Sequence, residues 1–271
     1  MSETIELPTS LVPRAVRIEE IGNHDALVRD DDRVAEIRER IQGGDVYIAR
    51  RVVSRERLEP IRDYLRRVGR NSLPNYHPIR RGAPNSHRMN RWDPRSYVGG
   101  CFHQFSFFPW NQDPFDLFEL FRSVYQVKNR LSALDGSRFL GTEPDAGCTA
   151  RLSFQVYPRG GGALKLHADP VDHHQLVVPS LALSRRGEDF ETGGVYIEPE
   201  PGRPVDLEGE LDWGDVVYFN ARQAHAVAPV DPDQPMDWLS FSGRWALVLA
   251  VNKLESNQEI ANSKEFPSKE G

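Results

Sequence analysis

The chain has 271 residues, a formal net charge of -6 and 27% charged residues. These values are typical of a globular protein, and the acidic balance excludes the basic surface of a nucleic-acid-binding protein. Two cysteines, Cys101 and Cys148, are too few for a disulfide scaffold and favour a reducing compartment. The chain has neither a leader-like N-terminus nor an apolar run of about 20 residues, so we expect a cytoplasmic protein without a membrane span.

The first 145 residues predict helices and loops with few strands. A loose arm (1–14) and a short strand (15–21) precede a helix, which begins near Asp30 because acidic residues lead into apolar residues at helical spacing. A strand-like run (46–53) follows, and then a helix that Ser54 can cap. Pro60 inside that helix predicts a kink or a late start, since proline donates no backbone hydrogen bond. Residues 71–100 predict a long loop, a candidate lid or binding loop.

The second half predicts a β-rich core. A Phe-rich strand (101–109) is followed by a helix starting at Asp113-Pro114, with an apolar stripe suited to packing on a sheet. Short strand-like runs then alternate with turns at 150–157, 163–167, 176–184, 195–198, 215–219, 225–229 and 244–253. This spacing indicates a sandwich or jelly roll, and residues from Asn257 onward predict a polar tail. We expect one mainly β (α+β) domain over 1–271, with support and lid in 1–145 and the core in 146–256.

Three side chains of this core form a candidate metal site. His167 and Asp169 are two apart in a predicted strand, so both can face one cavity. His225 lies in a later apolar strand and supplies a third donor. Two imidazoles and one carboxylate can occupy one face of an octahedral Fe(II) and leave the other face open for O2 and a co-substrate.

The order of the surrounding motifs makes this set more specific than its parts. A His-x-Asp tripeptide alone is expected roughly once by chance in a chain of this composition. Here it follows the Gly-rich turn 160–162, and the turn 192–194 lies between it and His225. Arg244 then opens another predicted strand. The complete order, rather than any one motif, indicates a metal centre with an associated arginine.

This order resembles the Fe(II)/2-oxoglutarate-dependent oxygenases, especially their phytanoyl-CoA-hydroxylase-like and prolyl-hydroxylase-like small-molecule branches, over residues 150–253. The resemblance implies a double-stranded β-helix (jelly roll, cupin-like) with N-terminal support helices. It implies that His167, Asp169 and His225 bind Fe(II), and that Arg244 holds the distal carboxylate of 2-oxoglutarate. It also implies that 2-oxoglutarate and O2 become succinate and CO2 while a substrate C–H bond is oxidised. A carboxylate at position 169 favours hydroxylation over halogenation.

The residues assisting Arg244 are less sharply indicated. A guanidinium can pair bidentately with a buried carboxylate. The family's frequent Ser two residues after the Arg is absent, so Ser242, two residues before it, and Tyr157 are candidates. Gln155 and Tyr157 nearly match the family's Asn-x-Tyr pattern. Arg222 is the rival arginine, although it lies in a predicted turn.

Substrate contacts are predicted from two loops and one strand, and a solvated surface is the alternative for each. The candidates are Arg80, Arg81, His87, Arg91 and Trp92 in the long loop, His103 in the Phe-rich strand and His173 after the triad pair. We expect a small polar metabolite or natural-product intermediate as substrate, no nucleic-acid or membrane partner, and a monomer or homodimer. Two rival functions remain, a cupin-type metalloenzyme that does not use 2-oxoglutarate and a non-enzymatic jelly-roll binding module.

Overall fold

A computed structural model describes residues 16–171 and 174–267. Its strands are β1 (Ile18–Ile21), β2 (Val46–Ala49), β3 (Ser86–Arg91), β4 (Gly100–Phe107), β5 (Cys148–Pro158), β6 (Gly162–Ala168), β7 (Ser180–Ala182), β8 (Gly194–Glu200), β9 (Arg203–Asp206), β10 (Val216–Tyr218), β11 (Ala224–Val230), β12 (Gly243–Lys253) and β13 (Lys264–Glu265). Its α-helices are α1 (Asp31–Gln42), α2 (Arg55–Asn71), α3 (Leu117–Leu120) and α4 (Arg122–Leu131), with 3-10 turns at Asp25–Val28 and Glu208–Glu210.

The strands from β5 to β12 form two facing antiparallel layers. One layer has the order β10-β7-β12-β5, and the other has the order β6-β11-β8-β9. β4 joins the layers by pairing with both β5 and β6. Successive strands thus alternate between the layers, which is the winding of a double-stranded β-helix. The predicted fold class is therefore confirmed.

The helices cover the outer face of the β5–β12 layer. Leu152, Phe154 and Val156 alternate along β5 and pack there with the apolar stripes of α1, α2 and α4. Asp30 caps α1 by accepting a hydrogen bond of 2.9 Å from the Arg33 backbone N–H, as its position before the acidic turn predicts. The opposite face of β5 looks toward β6 and β11, and it carries the polar residues considered below.

Several predicted boundaries were wrong. The long loop 71–100 contains β3, which pairs with β4 along its whole length and has polar residues on both faces, so it lacks an apolar alternation. The helix expected at Pro114 begins at Leu117 and is interrupted at Phe121, and α2 continues through Pro60. The expected polar tail contains β13, which pairs with β6. Within the described ranges, no helix is both long and apolar enough to cross a bilayer.

Candidate metal centre and co-substrate site

The fold brings the three predicted ligand residues together. β11 pairs with β6 so that His225 lies directly opposite His167, and Asp169 follows the end of β6. Asp169 Oδ1 lies 3.9 Å from His167 Nε2, and Asp169 Oδ2 lies 3.7 Å from His225 Nε2. One donor atom from each residue fits within a group spanning 4.8 Å. This is the spacing of side chains that can share one ion.

Hydrogen bonds set the tautomers of both imidazoles. His167 Nδ1 lies 2.9 Å from the Lys165 carbonyl oxygen, and His225 Nδ1 lies 2.8 Å from that of Gln223. Because a carbonyl oxygen only accepts, each Nδ1 carries the proton and each Nε2 keeps its lone pair toward Asp169. Burial, reinforced by the charge of His167, lowers the pKa of His225 to about 4, so this ring is neutral at neutral pH. Neutral imidazoles with free Nε2 atoms fit a ferrous ion.

The carboxylate of Asp169 is held by a residue that the sequence did not indicate. Ser263 Oγ donates a hydrogen bond of 2.6 Å to Asp169 Oδ1. Ser263 directly precedes β13, whose Glu265 lies opposite His167 and accepts a hydrogen bond of 2.8 Å from the Gly99 backbone N–H. The C-terminal segment thus braces the strand that carries two of the three ligands. It was missed because its short polar sequence has no strand period.

Arg244 and Tyr157 lie opposite each other on β12 and β5. Arg244 is 3% exposed, and its Nε donates a hydrogen bond of 2.6 Å to Glu208 Oε2. Its guanidinium carbon lies 5.5 Å from the centre of the Tyr157 ring, and Tyr157 donates from its hydroxyl to Gln155 Oε1 over 2.6 Å. Burial raises the pKa of Tyr157, which therefore remains a hydrogen-bond donor. Arg244, Tyr157 and Gln155 thus form one connected polar group.

Glu208 is the main unexpected member of this group. It is 2% exposed and also accepts a hydrogen bond of 2.8 Å from the Val195 backbone N–H. No sequence signal marks its burial, because it lies in the acidic 3-10 turn Glu208–Glu210 and its partner is 36 residues away. Ser242, expected to assist Arg244, instead hydrogen-bonds Ser240 Oγ at 2.7 Å. One Arg244 donor therefore serves Glu208, while its two terminal nitrogens are left for a second acceptor such as the distal carboxylate of 2-oxoglutarate.

The loop arginines predicted at the substrate lie at the surface. Arg80 and Arg81 have side chains that are 67% exposed, and they pair with Glu255 and Glu143 respectively. Arg91 is exposed as well. The rival arginine, Arg222, is exposed and donates to a backbone carbonyl in the 169–171 segment. His173 lies outside the described residues.

The two predicted substrate histidines face the helix-covered side of the sheet instead of the triad. His103 Nε2 lies 2.9 Å from the Trp238 carbonyl oxygen, His87 Nε2 lies 3.0 Å from His103 Nδ1, and Ser72 Oγ lies 3.2 Å from His87 Nδ1. Since the carbonyl only accepts, the protons run in one direction, from Ser72 through both rings to Trp238. His87 stacks on Phe105 in the core, so this chain is a packing element.

Trp92 lines the largest cavity in the described part of the chain, a space of about 1480 Å³ along the outside of β6, β8 and β11. Its walls also include Leu166, Tyr196, Glu198 and Arg222, but none of the three triad side chains. Cavity size and ligand geometry therefore point to different places. We assign the metal centre by geometry, because convergent donor atoms state a chemistry and volume alone does not.

The sequence matches no protein-family model and no curated protein. Its fold is shared by solved structures. A prolyl-4-hydroxylase from Pseudomonas putida aligns with 81% of this chain and 98% of its own, at 14% identity and a TM-score of 0.51. JOX2 in complex with 2OG, Fe and JA aligns over 95% and 80%, at 14% identity and 0.51. A full-length protein from Neurospora crassa in complex with alpha-KG aligns over 88% and 85%, at 10% identity and 0.51. At these identities the likeness is one of fold.

Proposed function

We propose that this protein is a non-haem Fe(II)/2-oxoglutarate-dependent oxygenase that hydroxylates, or otherwise oxidises, a C–H bond of a small polar metabolite or natural-product intermediate. The observation that carries the proposal is the convergence of His167, Asp169 and His225 with both Nε2 atoms free. The fold supports it, since two solved proteins of the same fold are named in complexes with 2-oxoglutarate, one of them also with iron.

Each residue of the site then has a distinct task. His167, Asp169 and His225 would hold Fe(II), which with 2-oxoglutarate and O2 supplies the oxidising chemistry while succinate and CO2 are released. Arg244 would receive the distal carboxylate of 2-oxoglutarate on its terminal nitrogens. Tyr157 and Gln155 keep that guanidinium in a buried polar setting, where an unpaired charge is costly and a charge-assisted hydrogen bond is strong.

A test compares the wild-type protein with His225→Ala after anaerobic loading with Fe(II). Wild type is expected to bind one iron and to convert 2-oxoglutarate to succinate even without substrate, slowly and uncoupled. His225→Ala is expected to lose tight iron binding and succinate formation. His77→Ala is the matched control, because His77 is an exposed loop residue. Wild-type protein that binds iron but never consumes 2-oxoglutarate with any substrate would contradict the proposal.

A cupin-type metalloenzyme that does not use 2-oxoglutarate is kept as a second candidate for one reason. Glu208 already provides a carboxylate for Arg244, so the pair carries no net charge before any co-substrate arrives. Titration of the iron-loaded protein with 2-oxoglutarate separates the two candidates. Binding that weakens in Arg244→Gln supports the oxygenase, whereas an absence of binding supports the alternative.

A further inference from the structure

The inner face of β5 carries a polar row that the proposed function does not yet use. Arg151, Ser153 and Gln155 alternate along the strand, on the side opposite the helix-packed residues. The pairing with β4 supports this assignment, since Gln104 lies opposite Gln155 and donates from Nε2 to Ser153 Oγ over 2.7 Å. On β3, Arg88 lies opposite Gln104 and therefore projects from the same face. Two arginines and three neutral polar side chains thus share one wall.

Arg151 lies at the end of this wall nearest the metal centre. β5 and β6 follow each other through a turn at 159–161 and belong to opposite layers, so the start of β5 and the end of β6 come to the same end of the β-helix. The charges agree with this placement, because Asp169 is among the groups that raise the pKa of Arg151. The guanidinium is therefore an electrostatic neighbour of the triad carboxylate.

Arg151 is unusual in having no counter-ion. Its guanidinium makes no ion pair or hydrogen bond with the residues of the described ranges, and its Nε is buried without an acceptor. Arg88 Nε is likewise buried without an acceptor, although Arg88 Nη2 donates to Asp93 and Ser96. Burial lowers the pKa of Arg151 to about 10, and the charge of Arg88 acts in the same direction. Both groups remain cationic at neutral pH.

An interior cation without a partner is costly, and iron would leave this one more exposed electrostatically. The nearby carboxylate of Asp169 is a predicted iron ligand, so its negative charge would be shared with the metal. The wall would then present two positive charges that only Asp93, bonded to Arg88, partly offsets. A planar guanidinium in this state suits an oxyanion, which it can bind through two parallel hydrogen bonds.

We propose that Arg151, with Arg88 as a second cation on the same wall, binds an oxyanion of the substrate, a carboxylate or a phosphate, beside the metal centre. The assignment rests on the proposed function, which places the reacting centre at the triad. It narrows the substrate class to anionic small molecules. It also gives the two interior arginines different roles, since Arg244 serves 2-oxoglutarate and Arg151 serves the substrate.

The test uses probe pairs that differ in charge, phenylacetate against phenylacetamide and phenyl phosphate against phenol. Binding to the full chain is measured by calorimetry, with and without Fe(II) and 2-oxoglutarate under anaerobic conditions. We expect one anion of the two pairs to bind wild type at least about 10-fold more tightly than its neutral partner. The pair showing the larger ratio identifies a carboxylate or a phosphate as the group recognised. We expect Arg151→Gln to remove the preference and Arg151→Lys to retain part of it.

Arg81→Gln is the control, because Arg81 is an exposed arginine that should leave the preference unchanged. Thermal unfolding adds a readout that a merely structural arginine would fail, since Arg151→Gln removes an unpaired cation and is expected to keep or raise the melting temperature. Equal binding of anion and neutral probes by wild type would overturn the proposal. So would a preference that survives Arg151→Gln, or a loss of 2-oxoglutarate affinity in that variant. Failure of the proposed function shows separately, as absence of 2-oxoglutarate binding in wild type, and probe binding without iron still decides the role of Arg151.

Discussion

Arg244 Nε donates a hydrogen bond of 2.6 Å to Glu208 Oε2, and both side chains are almost completely buried. A buried pair of this kind compensates its own charge, but removing one partner leaves the other charge unpaired in the interior. If Arg244 also serves 2-oxoglutarate, Glu208 competes with the co-substrate for the same guanidinium. The pair therefore links protein stability to co-substrate affinity.

Glu208→Gln tests that link. We expect the variant to lose about 3 kcal/mol of unfolding free energy, because Arg244 loses its counter-ion while the hydrogen-bond geometry is retained. We also expect 2-oxoglutarate to bind several-fold more tightly, because a repelling carboxylate has been removed. Chemical denaturation and calorimetric titration measure the two effects. Weaker 2-oxoglutarate binding in a folded variant would show that Glu208 positions Arg244 and does not compete with the ligand.

Ser263→Ala removes the hydrogen bond that holds Asp169 Oδ1. Groups that orient a metal ligand typically change metal affinity by about 10-fold or more, so we expect Fe(II) affinity to fall by roughly 10-fold with little effect on the unfolding of the metal-free protein. Anaerobic metal titration gives the affinity, and Ser137→Ala is a control at an exposed serine far from the triad. Equal iron affinity in Ser263→Ala and wild type would contradict the bracing role of the C-terminal segment.

The His87–His103 pair predicts a dependence of stability on acid. Burial lowers the pKa of each ring to about 4, below the ordinary value of 6.5. The unfolded chain therefore binds more protons between these two values, so stability that is present above pH 6.5 is lost as the pH falls toward 4. We expect the unfolding free energy to drop by about 2 kcal/mol from this source over that window. The double variant His87→Leu/His103→Leu should show a shallower slope in pH-dependent denaturation, and an unchanged slope would contradict the assignment.

Lys128 on α4 gives the corresponding prediction on the alkaline side. It is fully buried, its Nζ has no hydrogen-bond partner in the described part of the chain, and burial lowers its pKa from 10.5 to about 7. Because the unfolded chain keeps this proton up to about pH 10.5, stability should rise with pH between 7 and 10.5. Lys128→Met is expected to raise the unfolding free energy by about 2 kcal/mol at pH 7 and to flatten that rise. A destabilised variant with the slope intact would mean that the amine is paired.

The sequence by itself determined the features that repeat along a strand or lie close together in the chain. The alternation of apolar residues predicted most strands of the core, and the spacing of His167 and Asp169 placed both on one side of β6. His225 was found from its apolar strand. These signals are local, because period and turn chemistry are written within a few residues.

Only the tertiary structure decided which distant groups meet. Glu208 reaches Arg244 across 36 positions and Ser263 reaches Asp169 across 94, and neither acid nor serine carries a local sign of its partner. His87 was expected at the substrate, but a shift of one residue along a strand reverses its face, so Arg88 points inward instead. Local sequence sets what each side chain can do, whereas strand register and the closing of the β-helix set what it touches.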